Sequence, residues 1–150
     1  MALDVRQERV IPLRPPERVA AYAMDWRHDH EWTQGIKQAA LTRPAADGGD
    51  GFGTGAQVTR TAYFLGKRID YVLEVTGYDP PTLLDMTSVA GPMPMHVTYR
   101  FDPHPTGTLA SIRVRGNSGQ YYRLADPLMA VMVRRNIGKD LRDLEDRLTR

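Results

Sequence analysis

Gln57-Val58-Thr59-Arg60-Thr61-Ala62-Tyr63-Phe64-Leu65-Gly66-Lys67-Arg68-Ile69-Asp70-Tyr71-Val72-Leu73-Glu74-Val75-Thr76-Gly77-Tyr78 is the stretch that decides the fold. Two runs rich in β-branched and aromatic residues flank Leu65-Gly66, where glycine allows the positive φ of a tight turn. With those two residues at the turn, Phe64 faces Lys67, Ala62 faces Ile69 and Arg60 faces Tyr71. One face then carries Val58, Arg60, Ala62, Phe64, Ile69, Tyr71, Leu73 and Val75. The other carries Thr59, Thr61, Tyr63, Arg68, Asp70, Val72, Glu74 and Thr76. This is the pattern of an antiparallel hairpin with one buried face.

Working outward, three further strands follow the hairpin. Leu83 to Ala90 ends at Gly91-Pro92, Met95 to Phe101 ends at Asp102-Pro103, and Thr108 to Ser118 ends at Gly119. Their inward positions are Leu84/Met86/Ala90, Met95/Val97/Tyr99/Phe101 and Ala110/Ile112/Val114. The short turns make them sequential antiparallel neighbours. Upstream, Val5 to Leu13 reads as a first strand and Ile36 to Leu41 as a second. Pro15-Pro16-Glu17 opens a short helix between them, since proline fits the first helical turn. Asp25 caps a second short helix that runs through Trp32.

The C-terminus reads as one long helix. Asp126-Pro127 supplies an N-cap acceptor and a proline at the first helical position. Ile137, Leu141, Leu144 and Leu148 form an apolar stripe among charges. Leu128-Met129-Ala130-Val131-Met132-Val133 is apolar on every side, so this half is expected to be covered all round or to face an apolar space. Leu128, Val131 and Met132 are therefore expected to roof a cavity, packed less tightly than the stripe that follows. The 150 residues form one α+β domain, spanning 1–150, in which a curved antiparallel sheet of about seven strands wraps the long helix.

Composition excludes several functions. Hydrophobic residues are 41% and charged residues 25%, and no window approaches the roughly 20 apolar residues that cross a bilayer. Without cysteine there are no disulfides or thiolate metal sites. The N-terminus lacks the apolar run of a secretory signal, so a cytoplasmic location is expected. Net charge is +2 and no basic tract is interleaved with aromatics, which argues against nucleic acid as a partner. A homodimer is left open.

The order strand, two short helices, six strands and long helix resembles the helix-grip fold of the START/Bet v 1-like (SRPBCC) superfamily, in particular its polyketide cyclase/dehydrase-like proteins. The residues that carry the resemblance are Pro15-Pro16-Glu17-Arg18-Val19, Asp25 and Trp32, then Gly53-Thr54-Gly55. Glu74-Val75-Thr76-Gly77-Tyr78-Asp79-Pro80-Pro81 and Thr106-Gly107-Thr108 complete the set. They are structural signatures and name no reaction. The resemblance implies a cavity between sheet and helix that takes an apolar or polyketide-like small molecule. Such a domain serves as a binder, as a cyclase/dehydratase-type enzyme, or as a lipid carrier or interaction domain with a filled cavity.

The expected ligand-binding residues are Trp32, Arg60, Phe64, Tyr71, Leu73, Met86, Ser88, Met95, Tyr99 and Phe101, with Leu128, Val131 and Met132 above. Arg60 is the most informative. The register puts it among inward apolar positions beside Tyr71, and a buried guanidinium must be paired or must hold a ligand's polar group. If it anchors a ligand, Arg60→Met should weaken binding while leaving the fold at least as stable. Tyr71, Tyr99 and Ser88 could move protons, but such chemistry needs a positioned base. No carboxylate or histidine falls on the inner face of the central strands, which favours binding over catalysis. His28-Asp29-His30-Glu31 holds donor types that metals take, yet reads as a solvated helical face, and no metal or cofactor is expected. Gly51-Phe52-Gly53-Thr54-Gly55 precedes a strand rather than a helix, so it is a strand-entry loop and not a phosphate cradle.

Overall fold

The computed structural model describes residues 2–46, 51–64, 66–91, 94–117 and 127–150. The side chains of Phe64 and Leu128, the Leu65 turn position and the Asp126 cap fall outside the described residues. Seven strands appear in chain order: β1 (Ala2–Pro12), β2 (Ile36–Arg43), β3 (Gln57–Phe64), β4 (Lys67–Asp79), β5 (Leu83–Ala90), β6 (Met95–His104) and β7 (Gly107–Asn117). They form one antiparallel sheet in the order β1-β7-β6-β5-β4-β3-β2. Sequential strands are neighbours throughout, apart from β1, which returns beside β7. Strands β1 and β2 are therefore the two open edges.

The β3–β4 register pairs Phe64 with Lys67, Ala62 with Ile69 and Arg60 with Tyr71, as the alternation predicts. Gly66 has φ 78°, a conformation glycine adopts without strain. Register shifts interrupt the β2–β3 and β4–β5 ladders, and each such irregularity bends its strand and adds to the sheet's curvature.

Between β1 and β2 the chain forms α1 (Pro16–Ala23), a 3₁₀ turn at Trp26–His28 and α2 (Asp29–Trp32). Pro15 and Pro16 start α1, and the Asp25 carboxylate accepts the Arg27 N–H to cap the 3₁₀ turn. Helix α3 (Pro127–Thr149) closes the molecule. Its Ile137, Leu141, Leu144 and Leu148 are buried against the concave face of the sheet, where Ile11, Leu73, Leu84 and Phe101 complete the core. The architecture is the helix-grip fold.

Candidate functional site

Between the concave face of the sheet and the first half of α3 lies a cleft of about 140 Å³. Its apolar end is made by Leu3 of β1, Met95 and Val97 of β6, Ile112 and Val114 of β7, and Val133 and Ile137 of α3. Its polar end is made by Thr33, Arg60, Tyr71, Tyr99, Asn136 and Asp140. Inward alternation on β3, β4 and β6 puts Arg60, Tyr71 and Tyr99 on one surface. Helical spacing puts Val133, Asn136, Ile137 and Asp140 on the facing one.

Arg60 is only 4% exposed, so its charge must be answered inside the protein. Asp29, 3% exposed on α2, answers it. Arg60 Nε donates to Asp29 Oδ2 at 3.0 Å, and Nη2 lies 2.9 Å from the same oxygen. Nη2 also donates to the Tyr99 hydroxyl at 3.2 Å. Burial alone would pull Arg60 down, but the Asp29 carboxylate, with Tyr99 and Tyr71 beside it, holds its pKa well above the usual value. Burial also pushes the Tyr99 phenol up to about 12, so it stays a neutral hydroxyl at any working pH. The Tyr71 phenol is raised for the same reason.

Asp140 is the second carboxylate of the site. Burial pushes it up to about 7, against the opposing pull of the Gln34 backbone N–H and of Arg60. That N–H donates to Asp140 Oδ1 at 2.6 Å, fixing the carboxyl against the turn that follows α2. Trp32, 1% exposed, wedges between α2 and the sheet with its ring 5.5 Å from that of Tyr99. Near this end Trp32 Nε1 and Thr33 Oγ1 are buried with no hydrogen-bond partner among the described residues. On Tyr71, the wall is fixed from behind by Gly91. Its φ is 122°, and a Cβ there would stand 2.5 Å from the Tyr71 Cβ, so only glycine fits.

The sequence model of the family described as polyketide cyclase/dehydrase and lipid transport matches residues 2–149. The chain belongs to that family. Solved structures superpose over nearly all of this chain. A protein of Thermus thermophilus does so with a TM-score of 0.79 at 22% identity, over 97% of each chain. The Zhui aromatase/cyclase of a Streptomyces species does so at 0.76 and 13% identity, over 98% of this chain and 93% of that one. A START superfamily protein of Mycobacterium smegmatis gives 0.76 at 14% identity, over 97% of this chain and 95% of that one. At these identities the likeness is one of fold. No curated protein matches the sequence closely enough to name a relative.

The cleft gathers Arg60, Tyr71, Met95 and Tyr99 of the residues expected from sequence. Leu73, Met86 and Phe101 lie in the packed core and do not border the cleft. Ser88 accepts the Met95 N–H at 2.8 Å and lines a separate outer groove with Thr87, His96 and Arg115. There Arg115 donates to His96 Nδ1 at 2.9 Å, so Nε2 carries the proton that it shares with Asp85 at 3.0 Å.

Val131 requires a correction. It is 60% exposed on the outer side of α3, because at about 100° per residue it points away from Val133, which does border the cleft. Met132 is half-buried and does not border the cleft either. Asp29 also departs from expectation, since it is buried rather than solvated. Sequence reasoning missed Asp29 and Asp140 because strand alternation, which finds acids on an inner face, is silent about helices. Two signals were available. A buried Arg60 demanded an anion from some element, and Asp140 stands three residues after Ile137 and four before Leu144, on the buried stripe itself. Among the described residues no helix is long and apolar enough to cross a membrane, and no group of His, Asp and Glu is placed to hold a metal.

Proposed function

We propose that the cleft binds a compact, largely apolar molecule of about one ring in size that carries one neutral hydrogen-bonding group. The observation that supports this reading is the pairing of an apolar end with a polar end whose charge is already balanced. Asp29 neutralises Arg60, so a carboxylate ligand gains little from the guanidinium. It would also meet Asp140, a second carboxylate that is ionised above about pH 7. A phenol or ketone meets no such repulsion and can hydrogen-bond with Asp140, Tyr71 or Thr33. The volume of about 140 Å³ is close to that of cavities that take benzene, and smaller than the ~300–1,000 Å³ of most drug-sized sites. Long acyl chains are poor candidates on size.

The test is titration with toluene, p-cresol and benzoate, followed through the methyl signals of Val97, Ile112, Val133 and Ile137. The expected order is p-cresol ahead of toluene ahead of benzoate, with the shifts confined to methyls that line the cleft. Benzoate binding most tightly would reverse the electrostatic argument. Shifts unchanged in an Ile137→Trp variant, which fills the cleft, would remove the cleft from the reading.

A second reading is favoured by Asp140. A carboxyl that titrates near neutrality, beside the phenols of Tyr71 and Tyr99, has the groups that proton transfer in a cyclisation or dehydration requires. In that reading Asp140 takes the proton from a carbon next to a carbonyl, and a tyrosine hydroxyl supports the developing enolate oxygen. Any such activity should follow Asp140 ionisation with a limb near pH 7, and Asp140→Asn should abolish that limb. Activity unchanged in Asp140→Asn would leave binding as the function.

A further inference from the structure

We propose that the outward face of α3 docks an acidic helix of a partner protein. Val131, Arg134, Arg135, Gly138, Lys139 and Arg142 follow the spacing i, i+3, i+4, i+7, i+8, i+11 and so share one face of the helix. They line an open groove of about 590 Å³, whose other wall is Glu8 and Arg9 on the open edge strand β1. Most of the acids nearby are already engaged, Asp143 among them, which accepts from Gln34 Nε2 at 2.6 Å, while Asp146 lies one turn beyond Arg142. Glu8 pairs with Arg6 at 2.8 Å, and Glu145 pairs with Arg9 at 2.5 Å. Among the described residues none of Arg134, Arg135, Lys139 and Arg142 has a carboxylate within salt-bridge distance.

This is not how the rest of the helix is built. Beyond the stripe acidic side chains predominate, at Asp143, Glu145 and Asp146, with Arg147 among them. Within the stripe, Arg135 and Lys139 stand at i,i+4, where like charges weaken a helix. Four cations without a salt-bridge partner among the described residues, on one face of a chain whose net charge is only +2, make a local field that an acidic surface would neutralise.

Shape selects the partner. From Arg134 to Arg142 the cations span about 12 Å, two turns of helix, which is the spacing of carboxylates at i, i+4 and i+7 on an opposing helix. At mid-stripe Gly138 leaves the floor of the groove low, with nothing within 4 Å of where its Cβ would be. A rod-shaped element can therefore approach the α3 backbone. A membrane surface fits less well: among the described residues Val131 is the one exposed large apolar side chain on this face, and no Trp, Phe or Leu is poised to insert. Nucleic acid fits less well because no aromatic side chain stands in the stripe.

The experiment uses the full chain and two stapled helical peptides of the same composition. In one, glutamates occupy i, i+3, i+4 and i+7 on a single face; in the other they are spread round the helix. Affinity is read by fluorescence anisotropy and the contact face by amide chemical shifts. The single-face peptide is expected to bind at least about tenfold more tightly than the spread one, to weaken with added salt, and to shift amides at Val131–Arg142 and Gln7–Arg9. Arg135→Glu/Lys139→Glu should lose at least about tenfold in affinity, while the control Arg18→Glu/Lys67→Glu, with the same change in charge, loses far less. All four substituted side chains are exposed, so the variants should keep the wild-type melting curve. Equal binding of the two peptides, or equal loss in the control variant, would overturn the proposal. So would phosphatidylserine vesicles or a DNA duplex that shifts the same amides more strongly than the peptide does.

Discussion

Upstream of Asp140 the inward side chains of α3, Val133, Asn136 and Ile137, border the cleft. Downstream, Leu141 and Leu144 are 1% and 0% exposed and packed into the core. The two stretches have the same period and face the same sheet. What differs is the opposite wall. The downstream leucines meet a filled core, whereas the upstream stretch meets Arg60, Tyr71 and Tyr99, whose polar ends cannot be covered by aliphatic side chains without losing their hydrogen bonds. A helical stripe thus reports which side of a helix is turned inward. Whether the space it faces is filled depends on residues far away in sequence.

The largest expected effect is at the polar wall. Arg60→Met leaves Asp29 buried without a partner and should cost about 3–5 kcal/mol, whereas Arg60→Met combined with Asp29→Leu should regain most of that loss. Sequence alone suggested that, with Arg60 anchoring a ligand, Arg60→Met would leave the fold at least as stable. The ion pair reverses that expectation, and urea melts of the single and double variants decide it. Next, Leu141→Ala should cost about 2–5 kcal/mol, with Ile137→Ala clearly less because part of its surface faces the cleft. Equal costs would mean that the two halves of the stripe are packed alike.

Protonation sharpens the contrast further. Between pH 3.8 and about 7 the folded chain keeps a proton on Asp140 that the unfolded chain has released. The contribution of this group to stability is complete below that window, falls as pH rises through it, and is gone above it. The decline should be of order 2–4 kcal/mol, and the difference between wild type and Asp140→Asn, measured by melts at several pH values, should carry it. A pH-independent difference would place Asp140 in contact with water. The smallest effect is on the outer face, where Gly138→Ala should stabilise by about 0.5–1 kcal/mol, because helix propensity improves and no neighbour is in the way.

Local signals made the fold readable. Alternation gave the register of β3 and β4, prolines marked the start of α1 and α3, and the short turns gave the strand order. The cleft lining was readable where strands supply it, at Arg60, Tyr71, Met95 and Tyr99. It was not readable where helices bring residues in, because Asp29 and Asp140 look like ordinary surface charges until the fold turns them inward. The roof was misjudged at Val131 because an apolar run with no polar gap carries no phase, and phase is what separates an inward residue from an outward one.

Asp29 sits on a helix of four residues, a single turn that has too few hydrogen bonds to hold itself in place. Arg60 reaches across from β3 to grip it, so this pair acts as a strut between two walls. The breadth of the space between those walls is then set partly by the lengths of an aspartate and an arginine. Lengthening the strut by one methylene, with Asp29→Glu, would shift α2, and with it Thr33 at the polar end of the cleft, while leaving the architecture intact. One topology can in this way be fitted to molecules of different girth.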